Sequence, residues 1–231
     1  MRSSRTLTIG LETMTSITPW LSKAGKYSVE RLKGYPGWNQ SVDLSAPRAG
    51  VLHTTEGSTA AGALAVFRAH PWGSHFVVGM DVDKKVHIYQ IVPVGLIAGA
   101  LVKHNNLAAV QIEVVGFSKE TPWLPDEATL DPLAALMATC QREYGIPLSR
   151  PWLEGDWGRA GDNPHRHSAK FGRVAGWFSH GDVPLPDVHW DSGNLEWDKL
   201  FARARAMTDV LTAEPEDAGP NEADANSMCP T

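Results

Sequence analysis

The sequence predicts an α/β domain with a mixed central β-sheet flanked by helices. Three observations lead there. Apolar runs of strand length recur between Ala49 and Val115, amphipathic stretches of helical length alternate with them, and the turn-forming segment Asp81-Val82-Asp83-Lys84-Lys85 joins two strands as a hairpin. Alternating strands and helices point to one sheet covered by helices, and the hairpin requires that not every strand runs parallel.

Residues 1–45 are rich in turn formers, with Lys33-Gly34-Tyr35-Pro36-Gly37 as the clearest break. They read as an N-terminal extension that wraps the domain or stays partly mobile. Ala49-Gly50-Val51-Leu52-His53 is a short apolar run, a buried strand with His53 at its C-terminal end. Ser58 or Thr59 caps a helix reaching Ala69, with Leu64 and Phe67 spaced for one face. Pro71-Trp72-Gly73 ends it. His75–Met80 and Val86–Ile91 are the hairpin strands, and Ala109–Val115 is a central strand whose one charge is Glu113.

Asp126–Tyr144 reads as a helix capped by Asp126, with Leu130, Leu133, Leu136 and Met137 on one face. Gly145 and Pro147 stop it. Arg150–Arg173 is loop-like, Phe178–Asp191 looks irregular because Pro184 and Pro186 punctuate it, and Leu195–Leu211 is a final helix. The tail from Thr212 holds Glu214, Glu216, Asp217, Glu222 and Asp224 and no Lys or Arg, a composition expected to be disordered. The expected organisation is therefore an extension over 1–45, a catalytic domain over 46–211 and an acidic tail over 212–231.

Bulk composition excludes several classes. With 42% hydrophobic residues in 231, the chain can bury a real core. A mean hydropathy of -0.23 and the lack of a long apolar run exclude a transmembrane helix. The start, MRSSRTLTIGLETMT, lacks the apolar segment of a secretory leader, so synthesis in the cytoplasm is expected. Net charge is -5, and without the acidic tail the remainder balances its 21 Lys and Arg, which argues against a nucleic-acid partner. Two cysteines, Cys140 in a helix and Cys229 in the tail, exclude a disulfide framework and a cysteine-based metal site.

Three features carry chemistry. His53 ends an apolar strand, a position where histidine is more often structural. The segment Ser179-His180-Gly181-Asp182-Val183-Pro184, followed by His189-Trp190-Asp191-Ser192-Gly193, suits a rigid loop that holds a metal. Glu113 is a lone charge in an apolar strand, and a buried carboxylate must be either paired, as with an arginine, or functional. Taken together they make a set: catalytic zinc uses three protein ligands and leaves a fourth position open. His53, His180 and Asp191 would supply those ligands, leaving Glu113 as general base or acid.

The segments VLHTTEG, SHFVVGMDVDKKVHIYQIVP, AVQIEVVGF and SHGDVPLPDVHWDSG, in this order, resemble the N-acetylmuramoyl-L-alanine amidase type 2 family. That family includes phage endolysins and recycling amidases and shares its fold with peptidoglycan recognition proteins. The resemblance covers roughly residues 45–210. It implies a zinc ion (Zn2+) held by His53, His180 and Asp191, with Glu113 as the catalytic glutamate. It also implies that His189 stands where many members carry an oxyanion-stabilising lysine. The substrate implied is peptidoglycan or a muropeptide, cut between N-acetylmuramic acid and L-alanine.

Two positions depart from the family pattern. Ser192 replaces the proline of an Asp-Pro-Gly turn, which should loosen that turn. His189 replaces lysine, so its contribution depends on protonation or on a donated hydrogen bond. The expectation is a monomeric phage endolysin made in the bacterial host cytoplasm, with no stable membrane insertion, that reaches the wall after release. The alternatives are a cytoplasmic muropeptide-recycling amidase and a non-catalytic wall-binding protein of the same fold. Among the other histidines, His75 reads as structural, His70, His87 and His104 as solvated or satisfied in the core, and His165 and His167 as loop residues. Of the nine tryptophans most are expected to pack in the core, while Trp72, Trp152, Trp157 and Trp177 fall near expected loops, where an exposed indole could stack on a sugar of a glycan groove.

Overall fold

The structure is a computed structural model that describes residues 18–35, 40–42, 48–70, 72–119, 127–152, 166, 169–193 and 195–213. Seven strands form one mixed sheet: β1 (Lys23–Ala24), β2 (Tyr27–Arg31), β3 (Ala49–Thr54), β4 (Phe76–Met80), β5 (Val86–Gln90), β6 (Ala108–Val114) and β7 (Gly176–Ser179). Their spatial order is β1-β2-β5-β4-β6-β3-β7. Three helices, α1 (Ala60–Ala69), α2 (Glu127–Tyr144) and α3 (Trp197–Ala213), complete the α/β architecture.

The central strands β6 and β3 are buried along their whole length, which is why they read as continuous apolar runs rather than alternating ones. Strands β4, β6, β3 and β7 run parallel to one another, and β4 turns back into β5 through the expected hairpin. On one face Leu52, Ile112, Val114 and Trp177 pack against Leu133, Leu136 and Met137 of α2 and Leu200 and Phe201 of α3. On the other, Val77, Tyr89, Ile91 and Val115 pack against Ala60 and Leu64 of α1. Side chains alternate across a strand, so His53, two residues after Val51, and Glu113, two before Val115, both face the α1 side.

The expected helices form with small shifts. Thr59 is the cap of α1, its hydroxyl accepting from Gly62 N at 3.2 Å. Gly145, at φ +65°, ends α2 as its sequence position implied. Asp126, expected as the α2 cap, lies outside the described residues, as do His165, His167, Trp157, Cys229 and the tail beyond residue 213.

Two sequence expectations are corrected. The segment read as irregular from Phe178 begins inside β7, and Pro184 and Pro186 act only after that strand has ended. Trp177 is therefore a fully buried strand residue and not a loop indole. It fits because β3 carries Gly50 beneath it: a Cβ there would sit 2.5 Å from the indole. The second concerns the N-terminal segment, whose wrapping takes the form of β1 and β2 extending the sheet edge. Gln90 anchors it, accepting from Leu21 N and donating to Pro19 O, both at 2.8 Å.

Candidate metal centre and active site

Three adjacent parallel strands each deliver one chemical group at their C-terminal ends. His53 on β3 pairs in register with Glu113 on β6, and Leu52 pairs with Ser179 on β7, so His180 follows directly beside His53. Groups in open α/β sheets gather in this way beyond the carboxyl ends of the strands.

Immediately after β7 the chain makes one 3-10 turn, His180–Asp182, with Ser179 as its cap. The Ser179 hydroxyl donates to Asp191 O at 2.9 Å and accepts from Ser192 N at 3.0 Å, so one side chain ties β7 to the Asp191 turn. Asp182 is buried and accepts from Ser179 N and from the Arg150 guanidinium, both at 2.7 Å. Ser192, expected to loosen the turn where proline is usual, instead supplies an N–H that proline lacks, and the turn is pinned by it. Gly193 follows at φ +43°, where a Cβ would meet Ser118 O at 2.2 Å, so only glycine permits this approach.

The outcome is a cluster of His53, His180 and Asp191, each offering a ligand atom within 4.8 Å of the others. His53 Nδ1 and His180 Nδ1 stand 2.9 Å apart, His180 Nδ1 is 3.2 Å from Asp191 Oδ1, and His53 Nδ1 is 3.8 Å from Asp191 Oδ2. Thr54 N donates to Asp191 Oδ2 at 3.1 Å and steadies the carboxylate.

Electrostatics set these groups apart from their ordinary behaviour. Burial, reinforced by the neighbouring His180, lowers His53 to about 3, so it is neutral. Burial would also lower His180, but the Asp191 carboxylate outweighs it and holds His180 up at about 9. Burial likewise opposes the charge on Asp191, and His180 outweighs it in turn, keeping Asp191 below its ordinary value. Glu113 is pushed up to about 8, first by burial and then by Asp191. Among the described residues no hydrogen bond or ion pair engages its carboxylate, so the arginine pairing left open by its residue type does not occur there.

Two imidazole nitrogens and a carboxylate converging on one point suit a divalent metal. The two Nδ1 atoms turned inward have room for at most one proton between them, whereas a zinc ion accepts both lone pairs and the carboxylate together. The donor set therefore fits zinc. A cavity of about 470 Å³ opens over the cluster, lined by Glu56, Phe67, Trp72, Val102, Glu113 and His189 among others. Trp72 lines it and is half exposed, while Trp152 is half buried and packs on Phe178.

The remaining residues sort clearly. His189 stacks on His180 with centroids 4.4 Å apart, and its side chain is 54% exposed at the cavity. His75 is buried with both nitrogens bonded to backbone, as its structural reading required. His87 bridges Glu30 and Asp83, and His104 faces Leu185 O. Cys140 is a buried free thiol. Among the described residues no helix is long and apolar enough to cross a membrane.

Sequence reasoning missed Asp187 and Glu56. Asp187 is fully buried, accepts from Val102 N and His189 N, and lies 2.9 Å from His180 Nε2 and 2.8 Å from His189 Nδ1. Burial opposes its charge, but the hydrogen bonds from His180 and His189 outweigh that and hold it well below the carboxylate range. Its only signal was an acid two residues before His189. Glu56, at φ +48°, accepts from Ser118 N at 3.0 Å and lines the cavity floor, with nothing in the local pattern to mark it.

A family model described as N-acetylmuramoyl-L-alanine amidase matches residues 43–194, well over half of the 231-residue chain. Among solved structures, the Staphylococcus aureus hydrolase AmiA, determined with its ligand, is 17% identical and is covered over 85% of its length by 80% of this chain, with a TM-score of 0.55. The amidase LysCS from Clostridium intestinale URNW, titled an endolysin, is 16% identical over 77% of this chain and 95% of that one, with a TM-score of 0.49. The Ph2119 endolysin from the Thermus scotoductus MAT2119 bacteriophage is 18% identical over 76% of this chain and 99% of that one, at 0.47. At these identities the first likeness shows the fold alone, and the other two carry no argument. No curated protein sequence matches the chain.

Proposed function

Since the chain belongs to the N-acetylmuramoyl-L-alanine amidase family across residues 43–194, we propose that it hydrolyses the amide between N-acetylmuramic acid and L-alanine in peptidoglycan, using zinc held by His53, His180 and Asp191. The observation that carries this reading is the inward convergence of those three buried side chains beneath an open cavity.

Zinc in that position supplies Lewis acidity and makes water acidic enough to attack at neutral pH. Glu113 stands in register with His53 and takes the proton of the attacking water, then returns it to the leaving L-alanine nitrogen. Its raised value of about 8 suits this exchange, because the carboxyl both accepts and releases a proton near neutrality. A divalent charge nearby favours the ionised form that begins the cycle. With its Nδ1–H held by Asp187, His189 donates Nε2–H to the developing oxyanion from the cavity wall only as an imidazolium. The half-exposed Trp72 at the rim offers a stacking face for a sugar ring.

The reading extends to an endolysin role, with the intact wall as substrate rather than soluble muropeptides. Zinc stoichiometry of the purified protein, mass spectrometry of digested sacculi and a parallel assay on soluble muropeptides test each part. Glu113→Gln keeps one zinc per chain and loses turnover by about a hundredfold to ten-thousandfold. Wild-type turnover in that variant removes Glu113 from the mechanism, and faster cleavage of soluble muropeptides than of sacculi removes the endolysin role.

A further inference from the structure

Asp187 lies outside the three presumed ligands, yet it joins one of them, His180, to His189 at the cavity. Its carboxylate is fully buried and each oxygen serves one imidazole and one backbone N–H. Oδ2 lies 2.9 Å from His180 Nε2 and accepts from Val102 N at 3.1 Å. Oδ1 lies 2.8 Å from His189 Nδ1 and accepts from His189 N at 3.2 Å. An ionised carboxylate only accepts, so each imidazole must turn a protonated nitrogen toward it. The four donors fill its four lone-pair sites. His180, Asp187 and His189 also lie close enough together to hold an ion, but the two backbone N–H groups already occupy the carboxylate that such an ion would need.

The consequence runs in two directions. With Nε2–H committed to Asp187, Nδ1 is the His180 nitrogen that can give up its proton to a cation, and it is the atom turned toward His53 Nδ1 and Asp191 Oδ1. With Nδ1–H committed to the same carboxylate, His189 keeps its Nε2 for the cavity. The loop carrying Asp187 is itself braced from behind. The Arg166 guanidinium is buried and donates to the carbonyls of Val183, Asp187 and His189.

We propose that Asp187 is a positioning residue that holds His180 Nε2–H and His189 Nδ1–H at once, so that one buried carboxylate turns His180 Nδ1 toward the metal position and His189 Nε2 toward the cavity. The value of this arrangement to catalysis rests on the zinc reading above. The tautomer assignment does not, because it follows from hydrogen bonds present without metal. Partners in this position typically change metal affinity by about 10–100-fold when removed.

The test is nitrogen-15 NMR of the imidazoles in zinc-free protein at a pH where both rings are neutral, paired with zinc affinity from competition against a chromophoric chelator. Wild-type protein shows His180 protonated at Nε2 and His189 protonated at Nδ1. In Asp187→Asn the amide NH2 faces one of the two rings, which must then turn a lone pair toward it. At least one tautomer changes, and zinc binds about 10–100-fold more weakly. The opposite tautomers in the wild-type spectrum overturn the proposal whether or not the variant folds. Unchanged tautomers and unchanged zinc affinity in a folded Asp187→Asn protein overturn it as well. If wild-type protein binds no zinc, the metal reading falls, while the tautomers still decide the role of Asp187.

Discussion

His53 and His75 are both buried, at 1% and 0% exposure, His53 within β3 and His75 immediately before β4 of the same sheet, and both are neutral at pH 7. They differ in what their nitrogens meet. His75 Nδ1 accepts from Gln111 N and its Nε2 faces Leu96 O, each at 3.0 Å, so the ring is fully used by the backbone. His53 turns Nδ1 toward a second imidazole nitrogen at 2.9 Å, and its Nε2 has no hydrogen-bond partner among the described residues. The first arrangement holds two chain segments together. The second stabilises little by itself and becomes favourable once a cation accepts the facing lone pairs. Burial therefore does not separate a structural histidine from a ligand; the chemistry of the partners does.

The largest expected effect breaks this contrast at the ligand end. His53→Ala should empty the site and lower turnover on sacculi by roughly a thousandfold or more, because a bound Lewis acid contributes several kcal/mol. Metal analysis and the rate assay on the same preparation check it. His75→Gln is the matched control and should keep both zinc and turnover per folded molecule. If His53→Ala retains one zinc per chain and near-normal turnover, the two histidines are not different in kind.

How far the sequence alone reaches can be seen in the same pair. The strands bearing His53 and Glu113 were legible because both are continuous apolar runs, the signature of a strand buried on both faces. Their adjacency was not, since register between β3 and β6 depends on a chain crossing through α1, β4 and β5. The ligand set was legible as residue types in a Pro- and Gly-punctuated segment. Asp187 was not, because one of the N–H groups that holds its carboxylate comes from Val102, 85 residues away in sequence. The two N-terminal strands were hidden for a similar reason. Lys23–Ala24 and Tyr27–Arg31 are an edge whose polar exposed face reads as loop, and Gln90 anchors them from a strand far along the chain. Ser192 shows the limit of judging a departure by pattern, as its N–H tightened the turn it was expected to loosen.

The next effect sharpens the contrast at the structural end through pH. Burial lowers His75 from 6.5 to about 4 in the folded chain, partly offset by the Leu96 carbonyl. The unfolded chain thus binds the proton more readily. The stabilisation due to neutral His75 is complete above pH 6.5 and is lost as pH falls toward 4, by about 3 kcal/mol in all. Denaturant unfolding of zinc-free protein across that window, compared with His75→Gln, isolates the contribution. The variant should lose less stability on acidification than wild type by that amount. Parallel acid limbs in the two proteins would mean that the ring is not held neutral by its burial.

The smallest effect asks whether the contrast has a third member. His189 is neither buried nor a ligand in the proposed set: its side chain is 54% exposed, it stacks on His180, and one nitrogen is committed to Asp187. Only Nε2 is left for chemistry, it donates only when the ring carries both protons, and in a partly solvated position a single donor to an oxyanion is worth less than a buried one. His189→Ala should therefore lower kcat by about tenfold to a hundredfold, below the usual range for a fully enclosed donor. KM should change little, because the hydrogen bond forms as charge develops on the oxygen and not in the bound substrate. Zinc content should stay at the wild-type level, since Asp187 still engages His180 and the ligand cluster is untouched. A rise in KM at constant kcat would instead assign His189 to substrate binding, and a loss of zinc would make it part of the metal centre rather than a partner beside it.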